Sequence, residues 1–119
     1  MQRRIGRSML KPIGNSAEQI LAFQCIADGL TEFEQEYRFD AKRRYRLDLA
    51  FPKQKVGVEI NGGIFTQGAH GRPMNLLRDM EKANLLTLSG WRVLRYTPAQ
   101  VKCGEAIAGL KQLLHVKHG

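Results

Sequence analysis

Tyr45-Arg46-Leu47-Asp48-Leu49-Ala50-Phe51-Pro52-Lys53-Gln54-Lys55-Val56-Gly57-Val58-Glu59-Ile60-Asn61 is the stretch whose rhythm decides the fold. Tyr45, Leu47, Leu49 and Phe51 share one face of a period-two strand, and Val56, Val58 and Ile60 share one face of the next. Pro52 to Lys55 supply a four-residue turn between them. Folding the strands symmetrically about that turn sets Asp48 opposite Glu59, Ala50 opposite Gly57 and Arg46 opposite Asn61, all away from the apolar residues. One sheet face is then greasy and the other carries two carboxylates. Directly opposed residues have Cβ atoms about 4.5–5.5 Å apart, and like charges so placed destabilise a sheet unless something neutralises them. Carboxylate oxygens suit a hard ion such as Mg²⁺ or Mn²⁺, and small residues at Ala50 and Gly57 would leave room for a phosphate. Pairing of Asp48 with Arg44 or Arg46, and of Glu59 with Arg46 or a lysine, would instead make both acids ordinary strand charges. Spacing leaves both readings open.

Toward the N-terminus, Tyr37 and Phe39 fall in a preceding strand, so three strands form an antiparallel meander. Ser16 opens a capping box with Gln19, predicting a helix over about 17–29 with Glu18 in its first turn, where the helix dipole favours an anion. Residues 1–15, with Arg3, Arg4, Arg7 and Lys11 and no acid, read as a flexible basic arm. Toward the C-terminus, Gly62 and Gly63 end the third strand and a Gly-rich loop runs through His70 and Arg72 to Pro73. A helix is predicted over about 75–89, with Leu76, Leu77, Met80, Ala83, Asn84 and Leu88 inward and Gly90 as its stop. Trp91 to Tyr96 form a strand contributing to the sheet core, Thr97-Pro98 has the form of an N-cap followed by N1, and a last helix spans about 104–116. His115 and His118 fall at its end. The order α-β-β-β-α-β-α predicts an α/β fold, one mixed four-stranded sheet flanked by helices, as a single domain over 16–119.

The bulk numbers agree with that size and narrow the partners. A chain of 119 residues supports one core, and 43% hydrophobic with 25% charged residues is ordinary for a globular domain. No apolar run approaches the roughly 20 residues of a membrane span, and the basic start lacks the apolar core of a secretory signal, so a cytoplasmic address is expected. Cys25 and Cys103 have no C-x-x-C partner, which argues against a zinc ribbon or redox dithiol. A net charge of +8 makes nucleic acid the leading partner.

Arg46-Leu47-Asp48-Leu49-Ala50-Phe51 followed by Val56-Gly57-Val58-Glu59-Ile60-Asn61-Gly62-Gly63 resembles the Asp and E-x-K elements of the PD-(D/E)XK nuclease superfamily. That family's αβββαβ, restriction-endonuclease-like core has the same element order. More narrowly, Ser16-Ala17-Glu18, Tyr45 to Asp48, Glu59 to Gly63, Arg78-Asp79-Met80-Glu81-Lys82 and Gly90 to Tyr96 resemble small nucleases related to very-short-patch-repair endonucleases, over about residues 16–100. The resemblance implies a metal-dependent endodeoxyribonuclease in which Asp48 and Glu59 hold Mg²⁺ (or Mn²⁺), Glu18 supports it, and a phosphodiester is hydrolysed. Asn61 departs from the pattern, standing where the family has lysine. An amide can orient a water or phosphate but adds no positive charge. Lys82 is the replacement candidate, with Arg78 one turn earlier on the same face. His70 and Arg72 would lie at the edge of the site, and Arg38, Lys42, Arg43, Arg44 and Arg46 would lead a DNA backbone to Asp48. By analogy with small stand-alone members, the substrate class is branched or distorted DNA, as for a Holliday-junction resolvase of phage type acting in repair or recombination as a homodimer. A nicking or repair endonuclease with another DNA target, and an inactive DNA-binding protein with the nuclease fold, are the competing readings.

Overall fold

The computed structural model describes residues 16–61 and 73–115. The basic arm of residues 1–15, the Gly-rich loop with Gly62, Gly63, His70 and Arg72, and His118 lie outside the described residues. Ser16 starts the first helix, α1 (Ala17–Ala27), by accepting the Gln19 N–H on its hydroxyl at 3.2 Å. Strands β1 (Glu34–Asp40), β2 (Tyr45–Phe51) and β3 (Val56–Ile60) follow, then α2 (Pro73–Leu88) and β4 (Arg92–Tyr96). The sheet order is β1-β2-β3-β4, antiparallel through β3, with β4 parallel to β3. Two chain reversals follow the expected chemistry. Gly90 (φ +85°) ends α2 in the left-handed conformation that frees its N–H for Thr87 O and the Trp91 N–H for Leu86 O. Thr97 and Gln100 close a reciprocal capping box around Pro98. That cap opens a short helix of its own, α3 (Pro98–Lys102), before α4 (Glu105–His115), where the sequence predicts only one helix. Among the described residues no helix is long and apolar enough to cross a membrane.

The β2–β3 register is the expected one: Leu49 faces Val58, Ala50 faces Gly57 and Phe51 faces Val56. What differs is the inside–outside pattern. Leu49 and Phe51 pack with Leu21, Cys25, Val101 and Leu110 beneath α1, α3 and α4. Leu47 packs instead with Ala50 and Leu86, partly covered by Tyr37, Trp91 and Val93. Tyr45 also turns toward α2, where its hydroxyl donates to Glu81. Tyr45 and Leu47 therefore do not share a face with Leu49 and Phe51, contrary to the sequence expectation. The alternation inverts at Asp48, whose carboxylate accepts the Ile60 N–H at 2.7 Å. On β1 the same inversion falls at Glu36, which holds a left-handed φ of +52° between Gln35 (facing Leu49) and Tyr37 (facing Leu47).

Both sheet faces are consequently covered, and the expected open, polar face above Ala50 and Gly57 does not exist. Both residues are buried, and a Cβ on Gly57 would meet Leu47 Cδ1 at 2.6 Å. The space left by that glycine holds a leucine, not a phosphate. Gly57→Ala is accordingly expected to destabilise the protein by about 1–3 kcal/mol through forced movement of Leu47, read as a lowered urea midpoint at constant m-value.

α2 is also rotated from expectation. Leu76, Leu77, Met80 and Leu88 face outward, and Leu86 is the buried apolar anchor. Polar contacts select that rotation: Lys82 reaches Glu59, Glu81 reaches Tyr45 and Arg43, and Arg78 lies over the Tyr45 ring.

Candidate metal and phosphate site

Asp48 and Glu36 lie where β2 and β1 invert their alternation, and the first turn of α1 brings Glu18 to the same point. One oxygen from each of Glu18, Glu36 and Asp48 can be chosen so that all three lie within 4.8 Å of one another. Burial, the Glu36 hydrogen bond and charge, and the Asp48 charge push Glu18 up to about 8, against a weaker opposing hydrogen bond from Gln35. Asp48 is likewise raised above the usual carboxylate range, first by burial and then by Glu36 and Glu59, although the Ile60 N–H and Lys82 oppose the shift. Glu36 is exposed and paired with Arg46 at 3.0 Å.

Glu59 has different company. It is the least exposed partner in its ion pairs, contacted on one oxygen by Lys82 Nζ and on the other by Arg95 Nε at 3.2 Å. Arg95 stands directly opposite it on β4. Lys82, singled out from the sequence, thus reaches the acidic end of the sheet, whereas Glu59 lies outside the Glu18–Glu36–Asp48 group. Asn61 continues past the end of β3, its N–H donating to Tyr96 O at 2.9 Å.

A cleft of about 320 Å³ opens above Asp48, lined by Glu36, Arg44, Tyr45, Arg46, Asp48, Arg78, Asp79 and Lys82. Its far wall is fixed by Tyr45: the hydroxyl donates to Glu81 Oε1 at 2.6 Å, and the Arg78 guanidinium sits 5.3 Å from the ring centroid. Arg43 donates to the other Glu81 oxygen at 2.9 Å and also pairs with Asp40. Among the predicted nucleic-acid contacts, Arg44, Arg46 and Arg78 line the cleft, while Arg43 ties the β1–β2 turn to α2. Asn61 is not among the lining residues.

Comparison with protein families, with curated proteins and with solved structures finds no match.

The residues themselves define the chemistry. Oxygens of Glu18, Glu36 and Asp48 converge, and the cleft that Glu36 and Asp48 line with Asp79 is also lined by four cations, Arg44, Arg46, Arg78 and Lys82. The residue most important to this picture that sequence reading did not select is Glu36. Its only sequence signal was an acid on the strand before Asp48.

The raised Glu18 carboxyl gives a pH prediction. Between its ordinary value of 4.5 and about 8 the folded, metal-free protein holds a proton that the unfolded chain has lost. Stability is then fully present below the unfolded value and declines as pH rises through the folded one. Thermal melts in EDTA should show a Tm that falls between about pH 5 and 8, and adding Mg²⁺ should restore more at pH 8 than at pH 6, because binding displaces the proton. A flat or rising Tm over that interval would contradict the placement of Glu18.

Proposed function

We propose that the chain is a Mg²⁺-dependent DNA endonuclease acting in the cytoplasm, built on the restriction-endonuclease-like core of the PD-(D/E)XK superfamily. The observation that carries this reading is the convergence of Glu18, Glu36 and Asp48 oxygens beside a cleft that Glu36 and Asp48 line together with four cations. A phosphodiester calls for the cations, and the repelling carboxylates call for a hard divalent ion. The element order α1-β1-β2-β3-α2-β4 is the αβββαβ order of that core.

The donor set fits such an ion: all ligand atoms are carboxylate oxygens, and the half-buried pair Glu18 and Asp48 resists ionisation without a counter-charge. Asp48, Glu18 and Glu36 would hold Mg²⁺ or Mn²⁺. When bound, the ion supplies Lewis-acid stabilisation of phosphate charge and a hydrolytic nucleophile at neutral pH. The remaining roles belong to the chain. Glu59, whose other oxygen is held by Arg95, anchors Lys82 at the cleft wall, so that its ammonium would face charge developing on the phosphate. Lys82 thus supplies the positive charge that Asn61 lacks, and Asn61, outside the cleft lining, takes no part. Arg44, Arg46 and Arg78 draw the DNA backbone into register. Arg46, paired with Glu36 at 3.0 Å, would exchange that partner for a phosphate, which would leave Glu36 available to the ion.

Branched or distorted DNA is the substrate class implied by the resemblance. The test is a panel of four-way junction, nicked and linear duplex DNA with Mg²⁺, Mn²⁺ or EDTA. Cleavage is expected only with a divalent ion, fastest on the junction and at symmetric positions. Persistent DNA binding without cleavage under either ion would replace the enzyme reading with that of a DNA-binding protein.

A further inference from the structure

We propose that Arg95 is a further phosphate contact, which carries the DNA-binding surface past the cleft to the outer strand of the sheet. The inference rests on the reading of the cleft as a DNA site and adds a contact that reading does not use. The alternation of β4 decides where Arg95 stands. Leu94 and Tyr96 pack with the core beneath α1, α3 and α4, whereas Val93 packs with Leu47 and Leu86 on the α2 side. Arg95 has the parity of Val93 and so projects on the α2 side, where it meets Glu59 at 3.2 Å. β4 ends the strand order β1-β2-β3-β4, so among the described residues no strand stands beyond it. Arg92, earlier on the same strand and also exposed, has the parity of Leu94 and lies on the opposite side.

Charge and exposure then select an anion. Glu59 holds two cations, Lys82 on one oxygen and Arg95 on the other, so positive charge is in excess in this group. The excess is presented on the Arg95 side, whose side chain is 46% exposed against 20% for Lys82 and 12% for Glu59. A guanidinium also carries more N–H donors than one carboxylate oxygen accepts, and their planar fork matches a phosphate. Because both cations touch the same carboxylate they stand side by side, Lys82 inside the cleft lining and Arg95 outside it. A DNA strand with its reacting phosphate at Lys82 would therefore bring an adjoining phosphate to Arg95. The Glu59 contact already orders the guanidinium, so less side-chain freedom is lost when the phosphate arrives. Since that phosphate does not react, the contact strengthens ground state and transition state alike and raises affinity without raising kcat.

The test is equilibrium binding of duplex and four-way-junction DNA, followed by fluorescence anisotropy in EDTA from about 50 to 200 mM NaCl. Arg95→Ala should reduce the slope of log K against log salt by about 0.9, the counterion release of a single phosphate contact. Arg95→Lys should keep the wild-type slope because the charge remains. Arg92→Ala removes the same charge from the opposite side of the sheet and should leave the slope unchanged. With Mg²⁺, single-turnover cleavage at saturating DNA should run at the wild-type rate in Arg95→Ala, whereas a residue acting only through Glu59 and Lys82 would lower it. A wild-type slope in Arg95→Ala, an equal fall in Arg92→Ala, or a lowered single-turnover rate would overturn the proposal. Binding without cleavage in the wild type would end the nuclease reading and leave the salt slopes to decide on Arg95. A wild-type chain with no affinity for either DNA would remove the DNA reading itself, and this contact with it.

Discussion

Asp48→Asn is expected to reduce Mg²⁺-supported DNA cleavage by at least about a thousandfold, the scale on which removal of a central catalytic group acts, while leaving the fold intact. The two halves of this expectation come from two contacts of one side chain. Asp48 accepts the Ile60 N–H at 2.7 Å, and an asparagine oxygen can still accept it. Asp48 also supplies a carboxylate to the group with Glu18 and Glu36, and an amide cannot replace that charge. Burial and the neighbouring acids Glu36 and Glu59 disfavour the Asp48 anion. Removing the charge therefore relieves repulsion, so the metal-free variant should melt no lower than wild type. Initial cleavage rates together with melts in EDTA check both halves. Cleavage within about tenfold of wild type would remove Asp48 from the mechanism.

Lys82→Ala carries the second large effect, a loss on the order of 100- to 1,000-fold in kcat with little change in KM. Lys82 pairs with Glu59 and lines the cleft, so on the proposed reading its ammonium would meet the reacting phosphate and contribute little to long-range DNA capture. On the proposed reading, capture falls to Arg44, Arg46 and Arg78, whose alanine variants should raise KM and flatten the salt dependence instead. Single-turnover cleavage at saturating DNA separates the two. An unchanged single-turnover rate would make Lys82 only a structural partner of Glu59.

The lengths of the alternating runs made the hairpin register and the element order legible from residues alone. Lys82 was legible because it lies on the helix that follows the third strand, and the structure brings it to Glu59. Glu36 was not. Symmetric pairing about residues 41–44 puts Glu36 opposite Leu49, but a register shift between Arg38 and Asp40 moves it to the position facing Asp48. Strand alternation likewise could not reveal that β1 and β2 turn over at that position, because Asp48 meets the Ile60 amide there. The leucines of α2 read as an inward stripe by periodicity alone. Ionic and aromatic contacts of Arg78, Glu81 and Lys82 determine the rotation, and helical periodicity carries no information about partners on other strands.

The most direct measurement is Mn²⁺ binding followed by electron paramagnetic resonance, on wild type and on the Glu18→Gln, Glu36→Gln and Asp48→Asn variants. The account predicts Mn²⁺ bound in the wild-type cleft, displaced by Mg²⁺, with affinity lowered at least about tenfold by each substitution and most by Asp48→Asn. Equal Mn²⁺ affinity in wild type and all three variants would contradict it.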